Sequence, residues 1–590
     1  MNHRTKQQSL ALSGAVLISF LTGGTSAQAA TACTSWKDQV IVTPGTGSTL
    51  GNRAITTIKE ASLDGPVLGP WTCILRGTTG VATGPTSMTL LNTIKFEMRL
   101  PPTSKWNQRF VFQGGAGADG VVANATGPVG GAAVTVTGVK QTLDALSRGY
   151  AVVTMDSGHT ALNGSWSLLY SVYTSFGLER EKRTDYGYRA IGTMTDAAKG
   201  ILARHYDSAL TKSFFVGCSN GGRQAVMAAK RFPDKFDGVL AGAPAINIAK
   251  QLLQSAWDVQ QLSQVATNPW DALTRDDMTL VGNRVRAACD GLDLANDGMV
   301  SDHKACQAKL TQIGFPNSLV CPPNVTSNCL SLPKVTALTA MMGGPKNGTQ
   351  ALYASWPWDP GMSTVGGGTT SWRTWRLASD VGLGYPLYTV LGAGFLSQLA
   401  TSQPDPNYDG QDSWGTLQRY DLTNTQTLLE KPFSPFADSP VNELDVPDQT
   451  NLQPFFAKNG RMIVYIGSGD PAISANEITS WYEGLKQGTP AAAAGSRLYV
   501  VPGMNHCSGG PATDVFDLFK PLEDWVASSG QTQAPGRVVA AVDPDNNLLA
   551  GLLWNTARKR PLCEYPKVAR YRGPTILTDY IGESNYSCEY

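Results

Sequence analysis

Short apolar runs alternate with stretches of helical spacing along the first part of the chain. Residues Ile94–Leu100 and Arg109–Gln113 read as strands, and the second runs into the glycine-rich stretch Gly114-Gly-Ala-Gly-Ala-Asp-Gly120. A further run, Gly149–Met155, ends at Asp156-Ser-Gly-His159. Between Tyr188 and Tyr206, Ile191, Met194, Thr195, Ala198, Ile201 and Leu202 share one helical face. Ser213–Val216 then reads as a strand, Gly222–Phe232 as a helix and Phe236–Ala241 as a strand. Strands alternating with helices predict an α/β fold, a parallel sheet between helix layers.

The alternation stops after Pro244. Residues 246–446 are irregular, rich in Trp, Pro, Gly and Asn, and hold four of the ten cysteines. It resumes with a strand at Arg461–Ile466, a helix over Ala475–Gln487 and a strand at Arg497–Val501. The pattern predicts a body made of residues 30–245 and 447–590, interrupted by an insertion, 246–446, of the kind that forms lids and binding-site walls.

Residues 1–29 stand apart from this pattern. His3, Arg4 and Lys6 form a basic head, Leu10–Leu21 an apolar run, and Ala27-Gln-Ala29 a small-residue cleavage site, the layout of a secretory signal. The mature chain is expected to start near Ala30 and to be secreted or periplasmic. No later apolar run is long enough to span a bilayer.

Composition narrows the partners. The 590 residues carry 47 Lys+Arg against 46 Asp+Glu, and only 16% are charged, so neither nucleic acid nor an anionic membrane is expected as the main partner. A hydrophobic content of 42% with 14 Trp excludes wholesale disorder. In an exported chain, ten cysteines and no paired CxxC zinc pattern point to disulfides. Cys321 with Cys329, and Cys289 with Cys306, are close enough for local bridges; spacing leaves the rest open.

The chemistry centres on Gly217-Cys-Ser219-Asn-Gly221, a Gly-x-Ser-x-Gly at a strand end and helix start, the setting of a nucleophile elbow. Small neighbours permit the strained turn that lifts the Ser219 hydroxyl above the sheet. Of five histidines, His3 leaves with the leader, His205 and His159 precede the elbow, and His303 sits in an acidic loop and is expected to be solvated. His506, in the loop after a late strand, fits the order Ser, acid, His. Asp470, after Arg461–Ile466, supplies the acid, with Asp237 as an alternative. Oxyanion donors are expected at the amides of Asn220 and Gly117. Cys218 precedes the nucleophile and Cys507 follows the base, so this triad would bring the two sulfurs together.

These segments, with Phe232-Pro233, Asp237-Gly238, Ala241-Gly-Ala-Pro244 and Pro502-Gly-Met-Asn-His-Cys507, resemble the tannase and feruloyl esterase family, which includes the mono(2-hydroxyethyl) terephthalate hydrolases. The resemblance runs from Cys33 to Cys588. It implies an α/β-hydrolase fold with a lid domain, a Ser219/Asp470/His506 triad, and bridges Cys33–Cys73, Cys218–Cys507, Cys289–Cys306, Cys321–Cys329 and Cys563–Cys588. It also implies a structural Ca2+ in the lid, held by Asp290, Asp293 and Asp297 with the carbonyls of Ala295 and Met299. Closely spaced hard oxygen ligands suit that ion, although pattern alone equally allows a solvated acidic loop.

Substrate-binding expectations fall on Trp375, matching a lid aromatic, and Ile473, where terephthalate-monoester hydrolases place a phenylalanine. Those enzymes also carry a lid arginine, absent from Tyr385–Leu391, and a glutamate where Asn220 stands. The resemblance therefore favours a serine carboxylesterase for small esters of hydroxycinnamic, gallic or related benzoic acids. A terephthalate-monoester hydrolase is the alternative, and a serine peptidase or a non-catalytic binding protein are lesser ones.

Overall fold

The computed structural model describes residues 32–44, 53–64, 71–84, 86–128, 144–161, 172–363, 371–377, 386–446, 452–528, 534–541, 558–574 and 580–590. The leader at 1–29 and the boundary at residue 447 lie outside the described residues.

Ten strands form one sheet: β1 (Val40–Pro44), β2 (Arg53–Asp64), β3 (Thr72–Val81), β4 (Ile94–Leu100), β5 (Arg109–Gln113), β6 (Ala151–Met155), β7 (Lys212–Cys218), β8 (Gly238–Gly242), β9 (Arg461–Gly467) and β10 (Ser496–Val501). Their spatial order is β1-β2-β3-β4-β6-β5-β7-β8-β9-β10. The six from β6 to β10 are mutually parallel, whereas β1 to β4 pair antiparallel with one another and β4 with β6. The sheet is thus mixed. Every residue of β6 and β8 is buried, as parallel strands covered on both faces require. The far half of β2 alternates toward solvent instead, with Lys59 and Glu60 exposed.

Helix α1 (Ala190–His205) packs on β1 to β4, α2 (Asn220–Arg231) on β7 and β8, α3 (Ala475–Gly488) on β9 and β10, and α4 (Phe519–Ala527) on β8 and β9. Alternation along β7 shows both faces filled: Phe214 meets Phe519 edge-on, and Phe215 stacks on Phe112. Helix α2 approaches closely because Gly222 has no side chain; a Cβ there would lie 2.2 Å from the Gly242 carbonyl oxygen. The chain order reverses between β5 and β7, and the crevice beyond the carboxyl ends of strands at such a point is where open α/β sheets bind ligands.

Strands β8 and β9 pair directly, Val239 opposite Met462, although residues 243–460 intervene. Part of that stretch shares the sheet's core, through Ile246, Leu252, Tyr388, Phe395 and Leu444. Another part has its own, around Met278, Leu338, Met341, Trp356 and Trp372. The C-terminal ribbon of Val568–Tyr571 and Tyr586–Glu589 packs through Ala569, Tyr571 and Tyr586 against Ala295 of the acidic loop. All ten cysteines are bonded, as Cys33–Cys73, Cys218–Cys507, Cys289–Cys306, Cys321–Cys329 and Cys563–Cys588. No helix among the described residues is long and apolar enough to cross a membrane.

The end of the insertion is anchored by charge. Arg183, its side chain fully buried, donates to Glu443 Oε2 at 2.8 Å and to the Thr401 carbonyl at 2.8 Å, and lies over the Phe436 ring. Thr184 donates its hydroxyl to the other Glu443 oxygen. Glu443→Ala leaves a buried guanidinium without its counter-charge and is expected to cost about 3–5 kcal/mol in urea denaturation. A loss below about 1 kcal/mol, the value of an exposed pair, would show that the anchor does not carry the insertion.

Candidate active site

Strand β7 ends at Cys218 and α2 begins at Asn220, which leaves Ser219 alone in the turn with φ 62° and ψ −125°. Such a conformation is costly for a residue with a Cβ. It is held from both sides: the Ser219 amide donates to the Gly242 carbonyl at 3.0 Å, and its carbonyl accepts from the Arg223 amide at 3.0 Å. Gly217 and Gly221 make the turn possible, because a Cβ on Gly217 would come within 2.5 Å of Gly221 backbone.

Two loops at the ends of β9 and β10 face this turn. His506 Nε2 lies 2.9 Å from Ser219 Oγ, and its Nδ1 lies 2.9 and 3.1 Å from the two Asp470 oxygens. Asp470 Oδ1 also accepts from the amides of Ala472 and Ile473, which fixes the carboxylate against the ring. The structure therefore brings Ser219, His506 and Asp470 into one hydrogen-bonded series. Asp237 is not part of it: its carboxylate bonds Lys212 and the Ser213 amide at the start of β7, the opposite end of the sheet. The Cys218–Cys507 bridge joins the residue before Ser219 to the residue after His506.

The other histidines serve elsewhere. His159 stacks on Phe176 and bonds the Ala118 carbonyl, and burial pushes its imidazole down to about 3. His205 accepts from the Trp36 indole. His303 is half-buried at the start of a helix and pushed down to about 4 by burial, not solvated as expected, because the C-terminal segment folds over its loop.

The glycine-rich stretch after β5 lies against the elbow, close enough that a Cβ on Gly221 would sit 2.6 Å from the Gly115 carbonyl. Gly117 has φ 54°, and among the described residues no protein acceptor takes its amide. Asn220 offers a first-turn amide that the helix cannot satisfy. Over the other side, the Trp375 ring meets the His506 ring edge-on at 4.8 Å and Tyr388 at 5.9 Å. Ile473 is buried at 1% exposure on the Asp470 turn. Arg376, beside Trp375, is taken by a bidentate pair with Asp258 and lies between Trp356 and Trp372.

Two buried acids bearing on the site were not singled out by sequence. Asp359, in the insertion, accepts from the Ser468 hydroxyl at 2.6 Å, and Ser468 Oγ accepts from the Gly503 amide at 2.7 Å, joining the loops that carry Asp470 and His506. Asp119 lay inside the glycine stretch, where only a lone carboxylate among glycines could have drawn attention.

In the acidic loop, Asp290 accepts from the amides of Asp297 and Gly298, Asp293 from that of Ala295, and Asp297 from that of Met299. The outer Asp297 oxygen is paired with Arg560. Burial, aggravated by the Asp297 charge, raises Asp290 and pushes Asp293 up to about 7. The donor set is all hard oxygen, as calcium requires, but among the described residues no group of three or more such side chains is arranged to hold a metal ion.

Sheet, elbow and facing loops make this an α/β-hydrolase. A family model described as tannase and feruloyl esterase matches residues 80–588, and the chain belongs to that family. It is a carboxylic ester hydrolase. It is 36% identical over 515 residues to the mono(2-hydroxyethyl) terephthalate hydrolase of Piscinibacter sakaiensis, covering 84% of this chain and 81% of that one. A probable feruloyl esterase B-1 of Aspergillus oryzae is 27% identical over 458 residues, covering 75% and 74%. The crystal structure of feruloyl esterase B from Aspergillus oryzae superposes with a TM-score of 0.67 at 21% identity, over 95% of this chain and 99% of that one. Tannin acyl hydrolase from Aspergillus niger gives 0.59 at 18%, over 91% and 90%.

The bridge beside Ser219 closes the longest loop in the molecule, a separation of 289 residues. Chain-entropy reasoning gives such a tie about 5–6 kcal/mol. The Cys218→Ala/Cys507→Ala protein is expected to melt at lower temperature and to lose about tenfold or more in kcat as the two loops loosen. Full activity with an unchanged Tm would show that the bridge braces nothing.

Proposed function

We propose that the chain is a secreted or periplasmic serine esterase that cleaves small esters of hydroxycinnamic, gallic or related benzoic acids. The observation that carries this reading is the hydrogen-bonded run from Ser219 Oγ through His506 to Asp470, with an aromatic wall at Trp375. In the proposed reaction His506 Nε2 takes the Ser219 proton as Oγ attacks the ester carbonyl, while Asp470 holds Nδ1–H and steadies the imidazolium. The amides of Asn220 and Gly117 receive the developing oxyanion. His506 then protonates the departing alkoxide, and water releases the acid by the same steps in reverse order of roles. Trp375 and Ile473 would line the acyl site.

Hydrolysis of terephthalate monoesters is the second reading, favoured by the 36% identical relative. Against it, Arg376, the arginine that follows Trp375, is committed to Asp258. Export is supported by the five disulfides and the leader composition.

A fluorophosphonate is expected to label Ser219, and Ser219→Ala to lower kcat by about 10⁴-fold or more. Methyl ferulate or methyl gallate should be turned over with higher kcat/KM than mono(2-hydroxyethyl) terephthalate. Absence of labelling would remove the esterase mechanism, and a preference for the terephthalate ester would select the second reading.

We further propose that calcium joins Asp290, Asp293 and Asp297 with the Ala295 and Met299 carbonyls, purely to fasten the loop, with Arg560 as a neighbouring counter-charge. Chelation is expected to remove about one calcium per chain and to lower Tm, with recovery on adding calcium back. A chelator-treated protein with unchanged Tm and no released calcium would rule the calcium site out.

A further inference from the structure

Asp119 is fully buried beneath the elbow and in a left-handed conformation, φ 53°. Its carboxylate accepts from three side chains on two other elements. Asn220 Nδ2 donates to Oδ1 at 2.7 Å, while Gln224 Nε2 and the Ser157 hydroxyl donate to Oδ2. Gln224 returns to the glycine stretch by accepting from the Gly115 amide at 2.9 Å. Asn220 is fixed on its other side, where Oδ1 accepts from Arg223 Nε at 2.8 Å. The segments bearing Gly117 and Asn220 are therefore both tied to one carboxylate.

We propose that Asp119 is a positioning residue for the oxyanion hole, setting the separation of the Gly117 and Asn220 amides. The proposal rests on Ser219 being the nucleophile. Oxyanion donors act only when preorganised for the transition state, and these two amides come from separate segments, a glycine-rich loop and the first residue of α2. The Asn220 side chain is spent on this linkage and is not directed at substrate.

Protonation should loosen the link, since a neutral carboxyl accepts more weakly. Burial pushes Asp119 up to about 6, against the hydrogen bonds from Ser157, Gln224 and Asn220. The charged and titratable groups facing it are Arg223 and Tyr186 across Asn220, and Asp156 at the end of β6, itself up to about 7 through burial. The link is intact above pH 6 and fails as pH falls below it.

The test compares wild type with Asp119→Asn on p-nitrophenyl acetate and an aryl trifluoromethyl ketone, which forms a tetrahedral adduct on serine. Asp119→Asn is expected to lose about 10- to 100-fold in kcat with KM unchanged, and to bind the ketone more weakly by the same factor. Log kcat of wild type should fall more steeply below pH 6 than that of Asp119→Asn, which has no carboxyl to protonate at this position. Ser157→Ala, which removes one donor and leaves both amides in place, should shift the acid-side fall to higher pH. Wild-type kcat and ketone affinity in Asp119→Asn, or an unshifted profile in Ser157→Ala should the first variant not fold, would overturn the proposal. A wild-type protein that neither hydrolyses the ester nor reacts with a fluorophosphonate would instead overturn the nucleophile assignment.

Discussion

Everything at this site depends on Ser219 being held in a backbone conformation that a residue with a Cβ avoids. A cost of about 1–3 kcal/mol is typical of such positions, and the surroundings over-determine it. The glycines at 114, 217 and 221 let three stretches of backbone lie in contact, and the Gly242 carbonyl accepts the serine amide. The same close approach puts the glycine stretch of β5 beside the helix start of α2. The crevice between β5 and β7 thus gains a hydroxyl from backbone geometry, with the glycine stretch and the first turn of α2 tied beside it through Asp119.

The partners of that hydroxyl come from the far end of the chain, and the insertion helps hold them. Asp359 clasps the loops after β9 and β10 through Ser468, Trp372 donates to the Gly469 carbonyl at 2.8 Å, and Trp375 lies against His506. The stretch that interrupts the sheet is therefore also a support for the loops that carry Asp470 and His506. Its own anchors, Arg183 with Glu443 and Arg376 with Asp258, are buried ion pairs whose loss would leave unpaired charge.

Legibility in the sequence followed burial. Strands β6 to β10 sit between helix layers, so their apolar runs are continuous and legible to within a few residues; the helix read at Tyr188–Tyr206 is longer, starting at Arg180 and passing through a wide π turn over Asp185–Arg189. Strands β1 to β3 were missed because Thr, Gly and charged residues dilute their alternation, as in Thr72–Val81. Ser219 and His506 were legible because glycine spacing and chain order constrain them. Asp119 and Asp359 were not, since a buried carboxylate is defined by the donors that converge on it from distant segments, and one local pattern cannot show that. His303 was misjudged for the same reason, its cover coming from residues 561–569.

The most direct test of the account is a crystal structure of the protein inactivated by an aryl fluorophosphonate. Phosphorus is predicted on Ser219 Oγ, with the phosphonyl oxygen about 3 Å from the amide nitrogens of both Asn220 and Gly117 and the aryl group against Trp375. Phosphorus on another residue, or a phosphonyl oxygen turned to solvent away from both amides, would contradict it.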